Sequence, residues 1–300
     1  MPGAITYLSE SVPERQGVVI GILFMSLMTG TSLGTGVNGI ISLYLDKQSI
    51  FDWGWRIPFW LGGSLGIISY QIRKQFDESG YFLALNQVRQ RTSTPLVMLI
   101  RTHPKGLMCG LLVMALCGAT ASTYGIFMPG YLSTVLNFPP GEVARHTALA
   151  FLIISPACIV CGAITDRVNR KWVLFFVVLI AIGFSWPAFN YFANEGAELR
   201  KIMLICAVFN AISMGLLPPL LVSCFPTEVR YTGIAISYNV SVAIFSGLAP
   251  VISTLLIRES GLTGPAIYVT AVACFSLITL LIPWPDQPLL TNLRTKTDPE

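Results

Sequence analysis

Charged residues are scarce in this sequence, and their scarcity excludes an ordinary soluble domain. Only 11% of the 300 residues are Asp, Glu, Lys or Arg, whereas about a quarter is typical of soluble proteins. Histidine is rarer still, since the only two, His103 and His146, lie outside the long apolar runs. The sequence therefore lacks the buried His, embedded acid pair or metal-ligand cluster that a membrane enzyme needs. With 53% hydrophobic residues, it predicts an all-α integral membrane protein.

Long uncharged runs are what the sequence has instead. About 20 apolar residues rising ~1.5 Å each cross a hydrocarbon core of ~30 Å, so such a run predicts a transmembrane helix. One run, Ile57–Ile72, is short, but Arg56 and Arg73 can extend their charged ends outward and lengthen it. We predict about eight transmembrane helices, near Val18–Leu45, Ile57–Ile72, Leu107–Leu132, Ala148–Thr165, Trp172–Phe192, Ile202–Phe225, Ile234–Ile257 and Ala266–Ile282.

The basic residues predict how these helices are oriented. With a cytoplasmic amino terminus, 13 of the 19 Lys and Arg residues fall on the inner side and six on the outer side. Short cytoplasmic loops are enriched in Lys and Arg, so we expect a multi-pass protein of the cell membrane with both termini in the cytoplasm. The net charge of +4 follows from this topology, and we expect no nucleic-acid partner.

Two patterns match cofactor or metal motifs, and neither has the context that the motif requires. Cys158 and Cys161 have the spacing of a metal or redox pair, but they lie in an apolar helix without a second ligand pair. Residues 34–39 match the dinucleotide fingerprint, but no strand precedes them, so with Gly30 they predict close helix packing instead. All seven cysteines lie inside predicted helices, which argues against a disulfide framework. We predict no metal site and no cofactor.

A charged loop at residues 162–171 separates two uncharged runs. Its pattern, G-x-x-x-D-R-x-x-R-K, resembles the signature loop of major facilitator transporters, which follows the second helix of each six-helix half. The resemblance implies that this copy joins helices 8 and 9. Asp166 and Arg170 stand four residues apart at the start of the next helix, so they could pair or cap it and latch an inner gate. The residues of this signature loop that we predict to act in gating are Gly162, Asp166, Arg167, Arg170 and Lys171.

Two further loops resemble each other and the same superfamily. Residues 10–17 resemble the E-x-x-P-x-x-x-R-G loop between helices 4 and 5, although the segment from Pro13 to Gly17 is shorter here. The corresponding loop between helices 10 and 11 holds Pro226, Glu228, Arg230 and Gly233. One related loop in each half is what an internally duplicated transporter should show.

The segment W-G-W-R-I-P-F at residues 53–59 indicates a branch of this superfamily. Followed by Arg73 and by F-D-E-S at residues 76–79, it resembles the metabolite–proton symporters, which include proline/betaine, α-ketoglutarate, citrate and shikimate carriers. The resemblance covers residues 1–285. It implies proton-coupled transport of a small polar metabolite or osmolyte, either betaine/proline-like or an organic acid, by alternating access. The expected partners are that metabolite, the proton and the lipid bilayer.

The same resemblance predicts the domain organisation. Transporters of this type have two six-helix halves, which implies a truncated major facilitator fold without the first three helices and most of the fourth. Residues 1–72 are then the end of helix 4 with helices 5 and 6, 73–105 a cytoplasmic linker, 106–285 a six-helix bundle, and 286–300 a cytoplasmic tail. The chain could work with a missing amino-terminal bundle, or be a remnant that does not transport. A membrane enzyme is a distant alternative.

No carboxylate is predicted at mid-membrane depth, because every charged residue falls in a loop or at a helix end. Proton coupling normally uses embedded acids. The resemblance therefore places the titrating group on the missing helices, and we expect no uphill transport by this chain alone. Four polar side chains are candidates for the cavity, Asn239 foremost, although each could instead make an interhelical hydrogen bond. They are Tyr124, Asn210, Tyr238 and Asn239.

Prolines recur within five successive predicted helices of the second half. Each one removes a backbone hydrogen bond and favours a kink, and kinked helices could rock during a transport cycle. The residues are Pro129, Pro156, Pro187, Pro218, Pro219 and Pro250.

Overall fold

The protein is all-α, as predicted. The computed structural model describes residues 1–74, 95–194 and 196–282, and no β-strand occurs among them. Short helical turns lie at Pro13–Arg15, Lys47–Ser49 and Ile278–Leu281. The longer helices are α1 (Pro2–Ser11), α2 (Gln16–Tyr44), α3 (Arg56–Lys74), α4 (Pro95–Thr102), α5 (Pro104–Ala121), α6 (Met128–Thr134), α7 (Pro140–Ile154), α8 (Ala157–Arg167), α9 (Arg170–Phe192), α10 (Leu199–Ser223), α11 (Arg230–Ser241), α12 (Ala249–Ser260) and α13 (Gly264–Ser276).

Seven helical stretches in the described part of the chain are long and apolar enough to cross a membrane. The eighth predicted segment does form a helix, the 19-residue α3, but it is not among the seven. Its uncharged run is short, and it begins at Arg56 and ends at Lys74. The seven stretches are Pro13–Tyr44, Pro104–Thr134, Pro140–Arg167, Arg170–Phe192, Leu199–Ser223, Arg230–Ser260 and Gly264–Leu281.

Part of the predicted linker, residues 75–94, and the predicted tail, residues 286–300, lie outside the described residues. Between them, the end of the predicted linker is helical, because α4 occupies Pro95–Thr102. Its Leu99 is fully buried, whereas Leu96, Val97 and Ile100 are exposed. One turn of the linker is therefore packed onto the bundle that follows.

Three of the predicted proline positions coincide with irregular helix geometry. Pro156 separates α7 from α8, and Pro129 and Pro250 follow π-helical segments at Ser122–Phe127 and Val242–Ser246. A π-helical segment widens the helix by one residue per turn and often marks a functional site. The other prolines, Pro187, Pro218 and Pro219, lie within continuous helices.

Helix α2 packs along its length against α7, α8 and α10 of the carboxy-terminal bundle. Glycines permit this approach: a Cβ atom on Gly17 would lie 2.1 Å from the carbonyl oxygen of Gly162, and one on Gly21 would lie 2.5 Å from that of Cys158. The prediction that Gly30 and Gly34 allow close helix packing was wrong, because a Cβ atom on either residue would meet no described atom of a neighbouring helix within 4 Å.

Candidate functional site: a central cavity and an inner interface

The carboxylate of Asp166, at the end of α8, binds the first turn of α2. Its Oδ1 accepts a hydrogen bond of 2.7 Å from the amide of Gly17, and its Oδ2 accepts one of 3.1 Å from the amide of Val18. The first amides of a helix have no partner within it and carry the positive end of its dipole. The carboxylate is therefore the N-terminal cap of α2, a helix that lies 149 residues earlier in the chain.

This geometry corrects the expectation that Asp166 caps the helix after the loop. That helix, α9, is capped by Asn169, whose side-chain oxygen accepts a 3.0 Å hydrogen bond from the amide of Lys171. Arg167 and Lys171 are exposed, Arg170 is half-buried, and Gly162 is buried beneath α2. The loop thus joins α2 to α8 instead of stabilising only its own hairpin.

A second contact joins the end of α1 to the start of α11. The Arg230 side chain is buried, lies 3.7 Å from a carboxylate oxygen of Glu10, and donates a 3.4 Å hydrogen bond to the carbonyl oxygen of Phe225. The ring of Phe225 packs over Gly233, where a Cβ atom would lie 2.4 Å from it. The predicted loop motif therefore contributes Arg230 and Gly233 to packing and charge pairing.

The other two members of this motif lie in the connecting loop, where Pro226 is half-buried and Glu228 exposed. Both contacts connect residues near the amino terminus to the carboxy-terminal bundle. Together they form an interface, which we define by Glu10, Gly17, Asp166 and Arg230 and name the inner interface after the predicted cytoplasmic side of the loop at residues 162–171.

A cavity of about 290 Å³ lies between α2, α5, α7, α10 and the second π-helical segment. Much of its wall is apolar, and no charged side chain from the described residues lines it. Uncharged polar groups enter it from several elements. They include Thr31 and Thr35 on α2, Thr147 on α7, Asn210 on α10, Tyr238 on α11, and Ser246.

The structure brings two of the four predicted cavity residues to this site. Asn210 is only 2% exposed and lines the cavity, as does the half-buried Tyr238. Asn239, the foremost candidate, is exposed and does not line it. Successive residues on a helix point about 100° apart, and here Tyr238 lines the cavity whereas Asn239 does not.

Tyr124 is also absent from the cavity wall, because it packs inside the carboxy-terminal bundle. It is 1% exposed, its hydroxyl donates a 3.0 Å hydrogen bond to Ser185, and its ring stacks on Phe209 at a centroid distance of 4.6 Å. It is thus a buried aromatic ring whose hydroxyl has a hydrogen-bond partner, as is usual for a buried Tyr.

Small polar side chains hold the two π-helical segments beside the cavity. The amide of Asn210 donates a 3.4 Å hydrogen bond to the carbonyl oxygen of Ala121, and Ser122 donates one of 2.8 Å to that of Ser246. Tyr268 donates to the neighbouring carbonyl of Phe245. Sequence reasoning missed the cavity threonines and Ser246, because single hydroxyl residues in apolar runs are common in membrane helices and carry no distinct signal.

Comparison with known proteins places the chain in a family. The model of the Major Facilitator Superfamily matches residues 1–239 and, in an overlapping match, residues 110–299. The chain therefore belongs to the Major Facilitator Superfamily, as the loop motifs predicted, and it is a multi-pass protein of the plasma membrane.

The relatives are transporters. The chain is 28% identical to an ectoine/proline transporter of Corynebacterium glutamicum over 98% of its own length and 62% of the relative's. It is 27% identical to an inner membrane metabolite transport protein of Escherichia coli (93% and 65%) and 28% identical to a citrate-proton symporter of Klebsiella pneumoniae (86% and 59%). These matches confirm the metabolite–proton symporter branch and the prediction that the chain is not an enzyme. The chain spans less than two thirds of these relatives.

Proposed function

We propose that this chain carries the carboxy-terminal substrate wall and the inner gate of a proton-coupled transporter for a small polar metabolite. The observation that carries the proposal is the cavity, because polar groups from both α2 and the carboxy-terminal bundle converge on it. Substrate sites of such folds lie near the bilayer midplane between the two repeats. The relatives named for ectoine/proline and for citrate with protons support the same class of activity.

The charge of the cavity favours one substrate class over another. A buried carboxylate without a cation or several hydrogen-bond donors is costly, and the cavity wall described above holds no Lys or Arg. A zwitterion such as proline or a betaine carries no net charge and needs fewer compensating groups. We therefore favour a zwitterionic osmolyte, with an organic acid as the second candidate because one relative is named for citrate.

Alternating access would open and close the inner interface. With Asp166 capping α2 and Glu10 beside Arg230, the inner ends of the two parts are held together. Release of a substrate to that side would require both contacts to break. The proposed orientation, with the loop of residues 162–171 in the cytoplasm, makes this the cytoplasmic gate.

Binding by the 300-residue chain is the direct test. Purified protein in lipid nanodiscs is titrated with radiolabelled proline, glycine betaine and citrate in a scintillation proximity assay. Asn210→Ala and Tyr238→Phe should each weaken binding of the accepted substrate about tenfold, since a buried hydrogen bond is worth about 1 to 1.5 kcal/mol. Asn239→Ala, which alters the exposed neighbour of Tyr238, is the matched control and should leave binding unchanged.

Two outcomes would count against the proposal. The first is the absence of binding for all three solutes, and the second is equal binding by the Asn210→Ala, Tyr238→Phe and Asn239→Ala variants. A transport measurement asks whether this chain transports alone. In proteoliposomes with an inward proton gradient, we expect no accumulation above empty vesicles, because the titrating group is predicted to lie outside this chain, and accumulation of a solute would show that proton coupling resides in these 300 residues.

A further inference from the structure

Two sulfur atoms meet where α2 packs against α8. The Cys158 thiol lies 3.3 Å from the thioether sulfur of Met28, which comes from the other side of the interface. Both side chains are almost fully buried. The 3.8 Å contact between this thiol and the carbonyl oxygen of Ala211 is long and weak, so the sulfur has no strong polar partner there.

Cys161 brings the third sulfur to the same region. It lies three residues after Cys158 on α8, and residues at that spacing share a helix face. Both cysteines lie against Gly215 of α10, because a Cβ atom there would lie 2.4 Å from the Cβ of Cys161 and 3.0 Å from the Cα of Cys158. Met28 thus supplies the further ligand that the C-x-x-C pair lacked in the sequence.

We propose that Met28, Cys158 and Cys161 form a binding site for a soft monovalent cation of the Cu(I) class. Thiolate and thioether sulfur select Cu(I) over harder ions. Binding would displace the proton of the Cys158 thiol to solvent, so that the bound ion and the thiolate are together neutral in a buried interface. Met28 and Cys161 contribute uncharged sulfur, and no atom is oxidised or reduced.

Zinc and hard cations fit this site poorly. Structural zinc takes four N or S ligands, and no group of three or more His, Cys, Asp or Glu side chains suited to a metal occurs within residues 1–74, 95–194 and 196–282. Met28 also lines the central cavity, which gives an ion a route to the sulfur atoms. The thioether side chain is flexible, so its sulfur can move from the present 3.3 Å contact to make room for the ion.

The site would connect the two sides of the interface that α2 shares with α8. A bound ion would bridge Met28 on α2 and Cys158 on α8, close to the glycine contact of Gly21. It would then hold the two helices together and inhibit any cycle that separates them. Inhibition rests on the proposed function, whereas binding of the ion does not.

The test measures binding directly, on the whole chain in detergent without oxygen. Cu(I) is supplied as its complex with excess bicinchoninate, a chelator that single cysteine thiols elsewhere in the chain compete with poorly. We expect the chain to remove a single Cu(I) from the chelator and to release one proton. Met28→Leu, which nearly preserves side-chain volume, should weaken binding about tenfold or more, as loss of a supporting group at a metal site does, and Cys158→Ala should weaken it further.

Met214→Leu is the matched control, since Met214 is another thioether in the cavity wall, and it should bind as the unmodified chain does. Cu(I) should also raise the melting temperature of the unmodified chain but not that of Met28→Leu, which keeps the test valid if Cys158→Ala folds poorly. The proposal is overturned if the unmodified chain takes no Cu(I) from the chelator, or if Met28→Leu binds as tightly as Met214→Leu. Binding without inhibition of transport would refute only the inference that the bound ion holds α2 and α8 together.

Discussion

Asp166 caps helix α2 through the amide of Gly17 at a distance of 2.7 Å, although 149 residues separate the two in the chain. The same two regions touch through backbone, because Gly17 and Gly162 leave no room for a Cβ atom on either side. The Asp166 carboxylate can therefore cap α2 only when α2 and α8 are packed together. The contact reports directly on whether the inner interface is closed.

Asp166→Asn should loosen the start of α2 without preventing insertion. The amide side chain loses its charge and keeps one acceptor oxygen for two donors, so we expect a loss of about 1 kcal/mol. Hydrogen–deuterium exchange at Gly17 and Val18 should then be roughly fivefold faster, as that free energy implies. Glu228→Gln removes an exposed acid from a neighbouring loop and should leave this exchange unchanged. Equal exchange in both variants would show that the cap contributes nothing.

Gly17→Ala should destabilise the protein by about 2 kcal/mol or more, because the added methyl would lie 2.1 Å from a backbone oxygen that cannot move independently. The control is Gly183→Ala in α9, where a Cβ atom meets no described atom within 4 Å. That change should be neutral or stabilise the helix by up to about 1 kcal/mol. Thermal unfolding in one detergent, followed by loss of monodisperse protein, compares the two, and a Gly17→Ala variant as stable as Gly183→Ala would contradict the close contact.

Glu10→Gln should cost about 3 kcal/mol, because it leaves the buried guanidinium of Arg230 without its counter-charge. A double-mutant cycle with Arg230→Gln isolates the pair, and the sum of the two single losses should exceed the loss of the double variant by a measurable coupling energy. The control pair is Glu198 and Lys201, which are 2.8 Å apart but exposed. Lys201→Met should cost less than about 1 kcal/mol. A similar cost at both sites would mean that burial of Arg230 does not strengthen its pairing.

Reporter fusions test the predicted orientation. A reporter placed after Lys171 and another after Glu300 should show the cytoplasm, because basic loops remain on that side. One placed at residues 46–52 should show the outside. An external signal at Lys171 would reverse the whole topology and move the proposed gate to the outer face.

Much of the fold was predictable from the sequence because a bilayer constrains each helix locally. An apolar run must form a helix, since its backbone groups have no water to bind, and the predicted runs at residues 107–132, 172–192 and 234–257 lie within spans of the structure. The proposed gate residues were partly predictable too. The loop patterns singled out Asp166 and Arg230, and also the segment that begins at Glu10 and ends at Gly17, but they did not predict which of these residues pair.

The cavity was less predictable for a physical reason. Helices α9 and α10 are apolar on every side, so their residue periodicity does not tell which face meets a neighbour. Tyr124, Asn210 and Asn239 have similar sequence surroundings, yet the structure packs the first, places the second in the cavity and exposes the third.

The sequence by itself determined the helices, their approximate ends, the charged loops and the superfamily, because hydropathy and short motifs act over neighbouring residues. Only the tertiary structure decided the rotation of each helix and the pairs that form across the interface. Asp166 with Gly17, Glu10 with Arg230, and Met28 with Cys158 each join residues more than 100 positions apart. Such pairs depend on packing through glycines and on which side chains share a buried space. Local sequence patterns predict neither of these features.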